Sequence, residues 1–463
     1  MRYRNKFLII VVLILQSAYT QFNAVGYDFN ANVQSLSLNP GSYFQYSEQF
    51  GIPLTSNIQF FAGSSGLAVS DLFAKNNVSF NDKVSKTISK LSNDDFIQTN
   101  YRQDLFTYGF KDDLQRFKSM GLYWEIDHIT YLPADFLQLG LDGNASHMND
   151  VYTLGSLATK TEFVQTFHYG VNQMINAKLT FGYRLKLYSG IINIQSVRNK
   201  GKFYTTTGQN NYYAHHLDDV NLSIQTSGFA DLADRKNLNS KDVINHYLTK
   251  FIFSGNYGPG VDLGITYKYD YRTYFTASLL DLGFIYFASD ARSDQIKGDY
   301  VFEGASIQFP KSGLIDYWKD IRIDFENEVP KVSKKSSYLS LRPASLYTSV
   351  KYGLGDLKKQ DCENFLNLKD EYTEYVGLIL FSQYRPVKIH TGASVFYEKN
   401  WSKHFSTRAN FTVDNLSYTS LGAGFTLNVG AVQLYMLADN LLGLIDLSSS
   451  HKQSVQFGLN LVR

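Results

Sequence analysis

Apolar and polar side chains alternate along many short segments of the chain. Residues 179–187, LTFGYRLKL, place Leu, Phe and Tyr on one parity and Thr, Gly, Arg and Lys on the other. Successive side chains of a β-strand point to opposite faces, so this period of two predicts a strand with one apolar and one polar face. The pattern recurs up to the last segment, QSVQFGLNLVR, at residues 453–463. The fold is therefore predicted to be all-β.

What covers the apolar faces decides between two architectures. About 14 segments are long enough to cross a bilayer as tilted strands of about 9–11 residues. We therefore predict a transmembrane antiparallel β-barrel of about 14 strands, with lipid on the apolar parity and a lumen on the polar parity. A few short helices are expected in the loops, one of them in PADFLQLG at residues 133–140. A soluble exported β-sandwich, whose apolar faces would pack on each other, is the alternative.

The first twenty residues have the pattern of a secretory signal peptide. Basic side chains at Arg2, Arg4 and Lys6 precede the apolar run FLIIVVLIL, and small residues follow it. This run is shorter than the roughly 20 apolar residues of a membrane-spanning helix. We expect residues 1–20 to be cleaved and the mature protein to be exported to the outer membrane.

Composition narrows the function classes. The chain contains 34 Tyr, 34 Phe and only 8 Pro, as an aromatic-rich barrel would. Lys plus Arg number 44 against 42 Asp plus Glu, so the basic excess of a nucleic-acid-binding protein is missing and no nucleic-acid partner is predicted. Cys362 is the single cysteine, which excludes an internal disulfide and a cysteine-based zinc site.

No motif predicts an enzyme. HHLDD offers His215, His216 and Asp218 as metal ligands, but adjacent residues of a strand point to opposite faces, and a polar surface loop is the favoured interpretation. GSSG at residues 63–66 lacks the G-x-S-x-G spacing of a nucleophile elbow. We therefore predict no catalytic residue, no metal and no cofactor.

The mature chain is predicted to form an N-terminal hatch-like segment, residues 21–56, and a barrel, residues 57–463. No alternation precedes Asn57, and the aromatic side chains of the earlier segment need burial. We expect this segment to fold into the lumen and to leave an apolar pocket against the wall, suited to an acyl chain.

Charged residues on the polar parity are candidate lumen or ligand residues. Opposite charges on one wall can fill the interior as ion pairs, or they can line a selective path for a solute. Both possibilities stay open for Lys178, Arg184, Lys186, Asp262 and Lys268.

Several blocks resemble a family of outer-membrane barrels of Bacteroidota that is known only as a family of unknown function. They include SLNPGSYF, YLPADFLQLGLDGN and LGAGFTLNVGAVQLYMLADNLLGL, and together they span nearly the whole mature chain. The most specific blocks are Asp281-Leu282-Gly283 and Asp439-Asn440-Leu441-Leu442-Gly443. Asp281 and Gly283 share a parity unless a bulge intervenes, and the second block is expected to close a tight turn. The family motifs are interpreted as fold determinants, at Asn39, Pro40, Asp281, Gly283, Asp439, Asn440 and Gly443.

The Asn39-Pro40-Gly41 turn is also distantly similar to the Asn-Pro-Ala motif of the long-chain fatty acid transporter superfamily, with Gly41 in place of Ala. That resemblance implies a 14-stranded barrel with an N-terminal hatch, and some relatives serve the type IX secretion system.

The functional expectation is an outer-membrane barrel that takes up an apolar or amphipathic solute or assists a surface or secretion assembly. Its expected partners are outer-membrane lipid, a hydrophobic small molecule and a surface or secretion-system protein. A plugged scaffold without transport and a soluble β-sandwich that binds a ligand are the alternatives.

Overall fold

A computed structural model describes residues 24–196, 198–209, 212–229, 239–303, 329, 331–357 and 372–463. The predicted signal peptide and Cys362 lie outside these residues. The described part contains a single sheet of 21 strands. These strands are β1 Glu48–Gly51, β2 Ile58–Ser64, β3 Phe96–Lys111, β4 Phe117–Tyr131, β5 Tyr152–Thr153, β6 Thr159–Asn176, β7 Leu179–Ser196, β8 Lys200–Thr207, β9 Tyr213–Ser227, β10 Tyr257–Lys268, β11 Thr273–Phe287, β12 Ala291–Phe302, β13 Val332–Lys335, β14 Tyr338–Leu341, β15 Ser345–Leu357, β16 Tyr372–Gln383, β17 His390–Asn400, β18 Phe405–Asp414, β19 Ser420–Val429, β20 Val432–Ala438 and β21 Lys452–Val462.

The α-helices of the described residues lie before the barrel or in its connections. They are α1 Ser35–Leu38, α2 Val69–Phe73, α3 Phe80–Ile88, α4 Ala134–Asp142, α5 Ser240–Ile252 and α6 Leu441–Ile445. Helix α4 confirms the short helix predicted in PADFLQLG. No helix among the described residues has the length and apolar character needed to cross a membrane.

The sheet closes into an antiparallel barrel with fourteen strand positions. Strands β1 and β2 share one position, because both pair with β3 on one side and with the last strand, β21, on the other. Strands β14 and β15 share another position beside β11. Pairing of the first strand with the last closes the ring, which confirms the predicted barrel. The β-sandwich alternative is wrong.

The two faces of the wall differ as the alternation predicted. On β7, Leu185 and Leu187 are exposed on the outer face, whereas Arg184 and Lys186 are buried on the inner face. A soluble protein covers its large apolar side chains rather than its cations. This inverted arrangement is that of a barrel whose exterior meets hydrocarbon.

Exposed aromatic rings bound the apolar exterior at both ends. On β10, Tyr257 and Tyr267 stand at opposite ends of the strand, and both rings are exposed. With a rise of about 3.4 Å per residue and a tilt of about 40°, they lie about 25 Å apart along the barrel axis. Phe275 and Tyr286 bound β11 in the same way. Apolar bands about 25 Å tall between aromatic girdles are typical of membrane barrels.

The two ends of the barrel carry connections of different length. At one end, called the turn side, tight turns join the strands at residues 112–116, 177–178, 269–272, 401–404 and 430–431. The other end, called the loop side, carries long connections such as residues 65–95 and 132–158. There β5, β8, β9, β12 and β13 continue the sheet beyond the ring as an extension sheet.

The wall begins earlier than the predicted boundary at residue 57. Strand β1 already pairs at Glu48–Gly51, and residues 52–57 then interrupt the first strand position. Pro53 has no backbone N–H for a ladder bond, which suits an interruption. Ser56 and Asn57 turn inward and are buried. A strand of four residues is too short to show alternation, which explains the wrong boundary.

Candidate functional site

Residues 24–47, here called the inner segment, lie inside the ring of strands. The Tyr27 ring stacks on Tyr347 of β15, with centroids 4.7 Å apart. The Val33 amide donates to Oε1 of Gln433 on β20 at 3.0 Å. Contacts with well-separated strand positions place the segment in the lumen, against the inward side chains of the wall.

A cation on β18 binds the start of the inner segment through its backbone. The Arg408 guanidinium donates to the carbonyl oxygens of Val25 at 3.2 Å, of Tyr27, and of Asp28 at 3.1 Å. Arg408 also pairs with Glu398 of β17 at 3.0 Å. A buried cation needs both a counter-charge and acceptors for its remaining donors, and here the wall supplies the first and the inner segment supplies the second.

A second ion-pair group holds the middle of the inner segment. Arg184 donates to the carbonyl oxygen of Leu36 at 2.6 Å and pairs with Asp262 at 3.4 Å. Lys186 lies 2.8 Å from Asp262 and 2.8 Å from Asp281. Three of the five predicted lumen residues, Arg184, Lys186 and Asp262, are thus brought together in one buried network.

Lys178 and Lys268 do not belong to that network. Lys178 lies in the turn between β6 and β7, where the Asn176 side chain accepts from the amides of Lys178 at 2.9 Å and Leu179 at 3.0 Å. The Lys268 amide donates to the Lys178 carbonyl at 2.7 Å, so both residues lie on the turn-side rim. The prediction of Lys178 as a wall residue is wrong, because Asn176 tightens the turn to two residues.

The Asn39-Pro40-Gly41 turn docks closely on the wall. The Asn39 side chain accepts from the Gly41 amide at 2.9 Å, which closes the turn. A β-carbon at Gly182 of β7 would overlap the Pro40 carbonyl, and one at Gly264 of β10 would overlap the Asn39 side chain. Glycine on the wall is therefore what allows the backbone of the inner segment to come this near.

A β-bulge separates Asp281 from the regular part of β11. The register with β10 shifts between Val261 and Leu263, and Asp281 has a φ of 54°. Leu280 and Asp281 consequently both face the lumen, and the inward parity changes after them. This bulge delivers the Asp281 carboxylate to the ion-pair network, and it places Gly283 on the inward parity of the upper strand.

Asp439 and Asn440 end β20 differently from the prediction. Instead of a tight turn, Asn440 caps helix α6, its side chain accepting from the Gly443 amide at 3.2 Å. The Asp439 carboxylate accepts from the Val25 amide at 3.3 Å, which ties the wall to the inner segment. The prediction failed because the loop between β20 and β21 has room for a helical turn.

A cavity of about 360 Å³, here called the upper chamber, lies in the loop-side half of the barrel. Its volume is within the range of about 300–1,000 Å³ found for small-molecule sites. The residues that give it its chemical character are the cationic Lys160, Arg198 and Arg385 and the apolar or aromatic Tyr338, Leu341 and Tyr384. The chamber is therefore amphipathic.

Among the residues that the structure describes, no Asp or Glu lines the upper chamber. Lys160 pairs with Glu162 at 3.3 Å, and Arg385 pairs with Asp127 at 3.0 Å. No acid of the described residues lies within ion-pair distance of Arg198. Strand β14 borders the chamber and pairs, within the described part of the chain, with β11 alone. The carbonyl oxygens on its other edge, of Leu339 and Leu341, accept from Gln195 at 3.3 Å and from Lys160.

A charged layer separates the upper chamber from the middle of the lumen. In it Arg342 binds Glu162 at 2.6 Å and Glu125 at 2.7 Å, and Arg385 binds Asp127 at 3.0 Å. Each buried cation thus has an acid within hydrogen-bond distance, as burial requires.

Below the charged layer, the cavities bordered by described residues are small. One of about 80 Å³ is bordered by Arg385 and Lys186, and another of about 30 Å³ lies beside Arg184. Since a water occupies about 30 Å³, these spaces hold a few waters rather than a solute. The cavities of the described residues include no apolar pocket of the kind expected between the inner segment and the wall, because side chains such as Phe29 and Phe44 pack directly on apolar wall residues.

The HHLDD segment lies on β9, in the extension sheet. His216 stacks on Tyr204 with centroids 4.6 Å apart, whereas His215 contacts Phe203 and accepts from or donates to Thr205 at 3.0 Å. Among the residues that the structure describes, no three His, Cys, Asp or Glu side chains are grouped to hold a metal ion.

Sequence reasoning missed the charged residues of the chamber and of the layer below it. For Lys160 and Glu162 a signal existed, because both share the inward parity of β6 with Thr166. Arg198 and Arg385 lie in connections between strands, where no periodicity indicates which way a side chain points.

A family profile described as "Family of unknown function (DUF5723)" matches residues 40–439. The chain belongs to this family. The match confirms the resemblance drawn from the sequence blocks, and the description of the DUF5723 family names no activity. A search of curated proteins gives no match.

Two solved structures illustrate what this DUF5723 chain is similar to. The toluene transporter TodX of Pseudomonas putida is 10% identical, with 96% of this chain and 94% of that chain covered and a TM-score of 0.37. A FadL homologue of Pseudomonas aeruginosa is 9% identical, with 96% and 99% covered and a TM-score of 0.43. Because these scores are low, the description of the fold depends on the strand pairing given above.

Proposed function

We propose that the protein is an outer-membrane β-barrel that binds an amphipathic anion in its upper chamber and admits it to the lumen. The observation that carries the proposal is the composition of the chamber, where cationic and apolar side chains share a lining whose described residues include no acid. Membrane location, ligand class and passage are separate steps, and each has its own support.

The membrane location is supported by the exterior of the barrel. Exposed aliphatic side chains lie between two sets of exposed aromatic rings, over a height of about 25 Å that matches a hydrocarbon core. Long connections on one side and tight turns on the other are the asymmetry of outer-membrane barrels, whose long loops are extracellular. The loop side, and with it the upper chamber, would then face the cell exterior.

The proposed ligand class, an amphipathic anion, follows from the Arg198 side chain and from the apolar part of the lining. Arg198 has no acidic partner among the described residues, and its guanidinium presents donors in the geometry that suits a carboxylate or phosphate. Tyr338, Leu341 and Tyr384 supply the apolar part of the lining. An anion with an alkyl or aryl body of about ten carbons satisfies both parts within the lower end of ligand-site volumes.

Passage requires the charged layer and the inner segment to rearrange, because the cavities below the chamber that described residues border, of about 80 and 30 Å³, are too small for such a solute. Ion pairs within the wall lower the free-energy cost of this rearrangement. Arg408 keeps Glu398 and Arg184 keeps Asp262 as partners on the wall when the carbonyl oxygens of the inner segment withdraw. A buried cation that retains its acid avoids the large cost of an unpaired charge.

The binding step can be tested with decanoate and decanol on the protein in nanodiscs, with empty nanodiscs subtracted. Arg198→Ala should weaken decanoate binding about tenfold or more, because hydrogen bonds to charged groups contribute about 1.5–3 kcal/mol. Decanol binding should not change. Lys200→Ala is the matched control, since Lys200 pairs with Asp219 at 3.0 Å on the exposed extension sheet. Equal binding of decanoate to the wild type and the Arg198→Ala variant would reject the proposed site.

A scaffold without transport is a second candidate, favoured by the filled middle of the lumen. Ion pairs and the inner segment occupy it, and the extension sheet carries strands beyond the membrane, where a surface or secretion partner could bind. Uptake of decanoate into proteoliposomes separates the two functions. Binding of decanoate in the chamber without protein-dependent uptake would favour the function as a scaffold over transport.

A further inference from the structure

Helix α5 lies on the outside of the barrel wall. The Phe251 ring contacts Trp124 of β4, with centroids 5.1 Å apart, and Phe163 of β6, with centroids 5.4 Å apart. Trp124 and Phe163 occupy the outward parity of their strands, since Tyr123 and Val164 beside them are buried inside. The helix therefore packs on the outer, apolar face of the barrel wall, which would contact lipid in a membrane.

Two further contacts hold α5 in this position. Lys250 and His246 lie 3.4 Å and 3.6 Å from the carboxylate of Asp290, in the turn between β11 and β12. The Tyr247 hydroxyl donates to the Gly228 carbonyl at 3.3 Å. These contacts use the faces of the helix that turn toward the barrel, so its orientation is fixed.

The face that points away from the wall carries an apolar stripe. Ile244, Leu248 and Ile252 follow one another at intervals of four residues and are 57%, 55% and 71% exposed, and Phe253 beyond the helix is 74% exposed. Residues four apart lie on the same face of a helix. The stripe therefore runs from Ile244 to the end of the helix, and the described residues leave it exposed.

The wall next to α5 changes from apolar to polar at the same level. Ile126 and Phe167 are exposed apolar side chains on the outer faces of β4 and β6. Toward the loop side, Ile126 is followed on the outer face of β4 by His128, and Phe163 is followed on β6 by Thr161; His128 and Thr161 hydrogen-bond each other at 2.8 Å. Helix α5 thus lies where the apolar band of the exterior ends.

We infer that α5 is seated in the interfacial region of the loop-side leaflet, with its apolar stripe among the acyl chains. This inference rests on the membrane location given under the proposed function. Its occupant is lipid, because the stripe continues the apolar band of the wall. The polar side chains of Asn245 and Thr249 adjoin the stripe on the exposed side and would meet the headgroups, as in helices that lie in a membrane surface.

Site-specific fluorescence quenching in nanodiscs tests the seating. Single cysteines replace Leu248, Thr249 and Leu185 in the Cys362→Ser background and carry a small fluorophore, and the lipid carries a doxyl quencher at a shallow or a deep acyl position. The label at position 248 should be quenched more than twofold by the shallow quencher and less by the deep one. The label at position 249, which points about 100° away from position 248 around the helix, should be quenched weakly, and that at 185, on the outer wall, by both quenchers.

The outcomes distinguish a failure of the seating of α5 from a failure of the membrane location. An unquenched label at 248 together with a quenched label at 185 would overturn the seating of α5 while the membrane location stands. No quenching at 185 would contradict the membrane location itself, and with it the inference. Protection of the label at 248 in a dimeric protein would show that a second copy, rather than lipid, covers the stripe, which also overturns the inference.

Discussion

Replacing Leu185 with arginine tests whether the exterior of the barrel meets hydrocarbon. Leu185 is 54% exposed on the outer face of β7, between the outward positions Tyr169 and Val261 of the neighbouring strands. It lies six residues from Leu179 at the turn-side rim, which corresponds to about 15 Å along the axis of a strand tilted by about 40°. That height is close to the bilayer midplane.

The expected cost follows from this depth. An arginine on the lipid face costs about 2–4 kcal/mol at the midplane and about 0–1 kcal/mol near the interface. In water, a substitution at a half-exposed surface position would change the stability by about 0.5 kcal/mol or less. Leu185→Arg should therefore be destabilising by about 2–4 kcal/mol, and Leu179→Arg, on the same face of the same strand, by about 1 kcal/mol or less.

Equilibrium unfolding by guanidinium in phospholipid vesicles, followed by tryptophan fluorescence, measures both variants. A difference of about 2 kcal/mol between them is a change of roughly 30-fold in the folding equilibrium. Equal stabilities of the two variants, or a Leu185→Arg variant as stable as the wild type, would refute the assignment of this face to lipid.

Three further outcomes test the interior and the loops. Arg408→Met removes the donors that bind the start of the inner segment, while Lys351 stays 3.4 Å from Glu398; the lost hydrogen bonds should cost about 1.5–3 kcal/mol and speed amide exchange at residues 24–30, and unchanged exchange there would contradict the role of Arg408. Gly182→Val should displace the Pro40 turn and speed exchange around it, whereas Gly140→Ala in α4, whose added β-carbon meets no atom within 4 Å, should be neutral or stabilising by up to about 1 kcal/mol. Hydrogen bonds that the His147 ring donates to the carboxylates of Asp150 and Asp142 raise the pKa of His147 above its ordinary value. The stabilisation from this group is thus complete below about pH 6.5 and is lost as the pH rises through the higher folded pKa, and an NMR titration should show a lower His147 pKa in Asp150→Asn.

The faces of the strands were predictable because they follow from local alternation alone. Leu185 and Lys186 differ by one position, and that difference places one outside and the other inside the wall. Such a pattern needs no knowledge of which strands pair. The barrel followed from the number of such segments, since a closed ring is the arrangement that satisfies every backbone group of strands in lipid.

The sequence did not predict which charged side chains on different strands form ion pairs. Arg184 meets Asp262 because β10 pairs with β7, although the chain passes through β8, β9 and α5 between them. The bulge at Leu280 and Asp281 changes which parity faces inward, and a single added residue in a strand leaves no periodic signal. Lys178 was placed on the wall because the alternation continues into the turn, where the Asn176 side chain rather than the period decides.

The upper chamber was unpredictable for a related reason. Lys160 stands on a regular strand, whereas Arg198 and Arg385 lie in connections that follow strand ends. The edge of β14 borders the same chamber, and the alternation of side chains does not indicate that these elements meet. Sequence alone predicts that loops of a barrel carry function, as loops generally do, without saying which side chains converge.

The central claim is that the upper chamber holds an amphipathic anion. The most direct measurement is anomalous diffraction from crystals soaked in decanoate brominated at its tail. A bromine peak in the chamber beside Tyr338, Leu341 and Tyr384, with carboxylate density at Arg198, is the predicted result. A chamber that contains only water at saturating decanoate, with bromine confined to the outer lipid face, would contradict the claim.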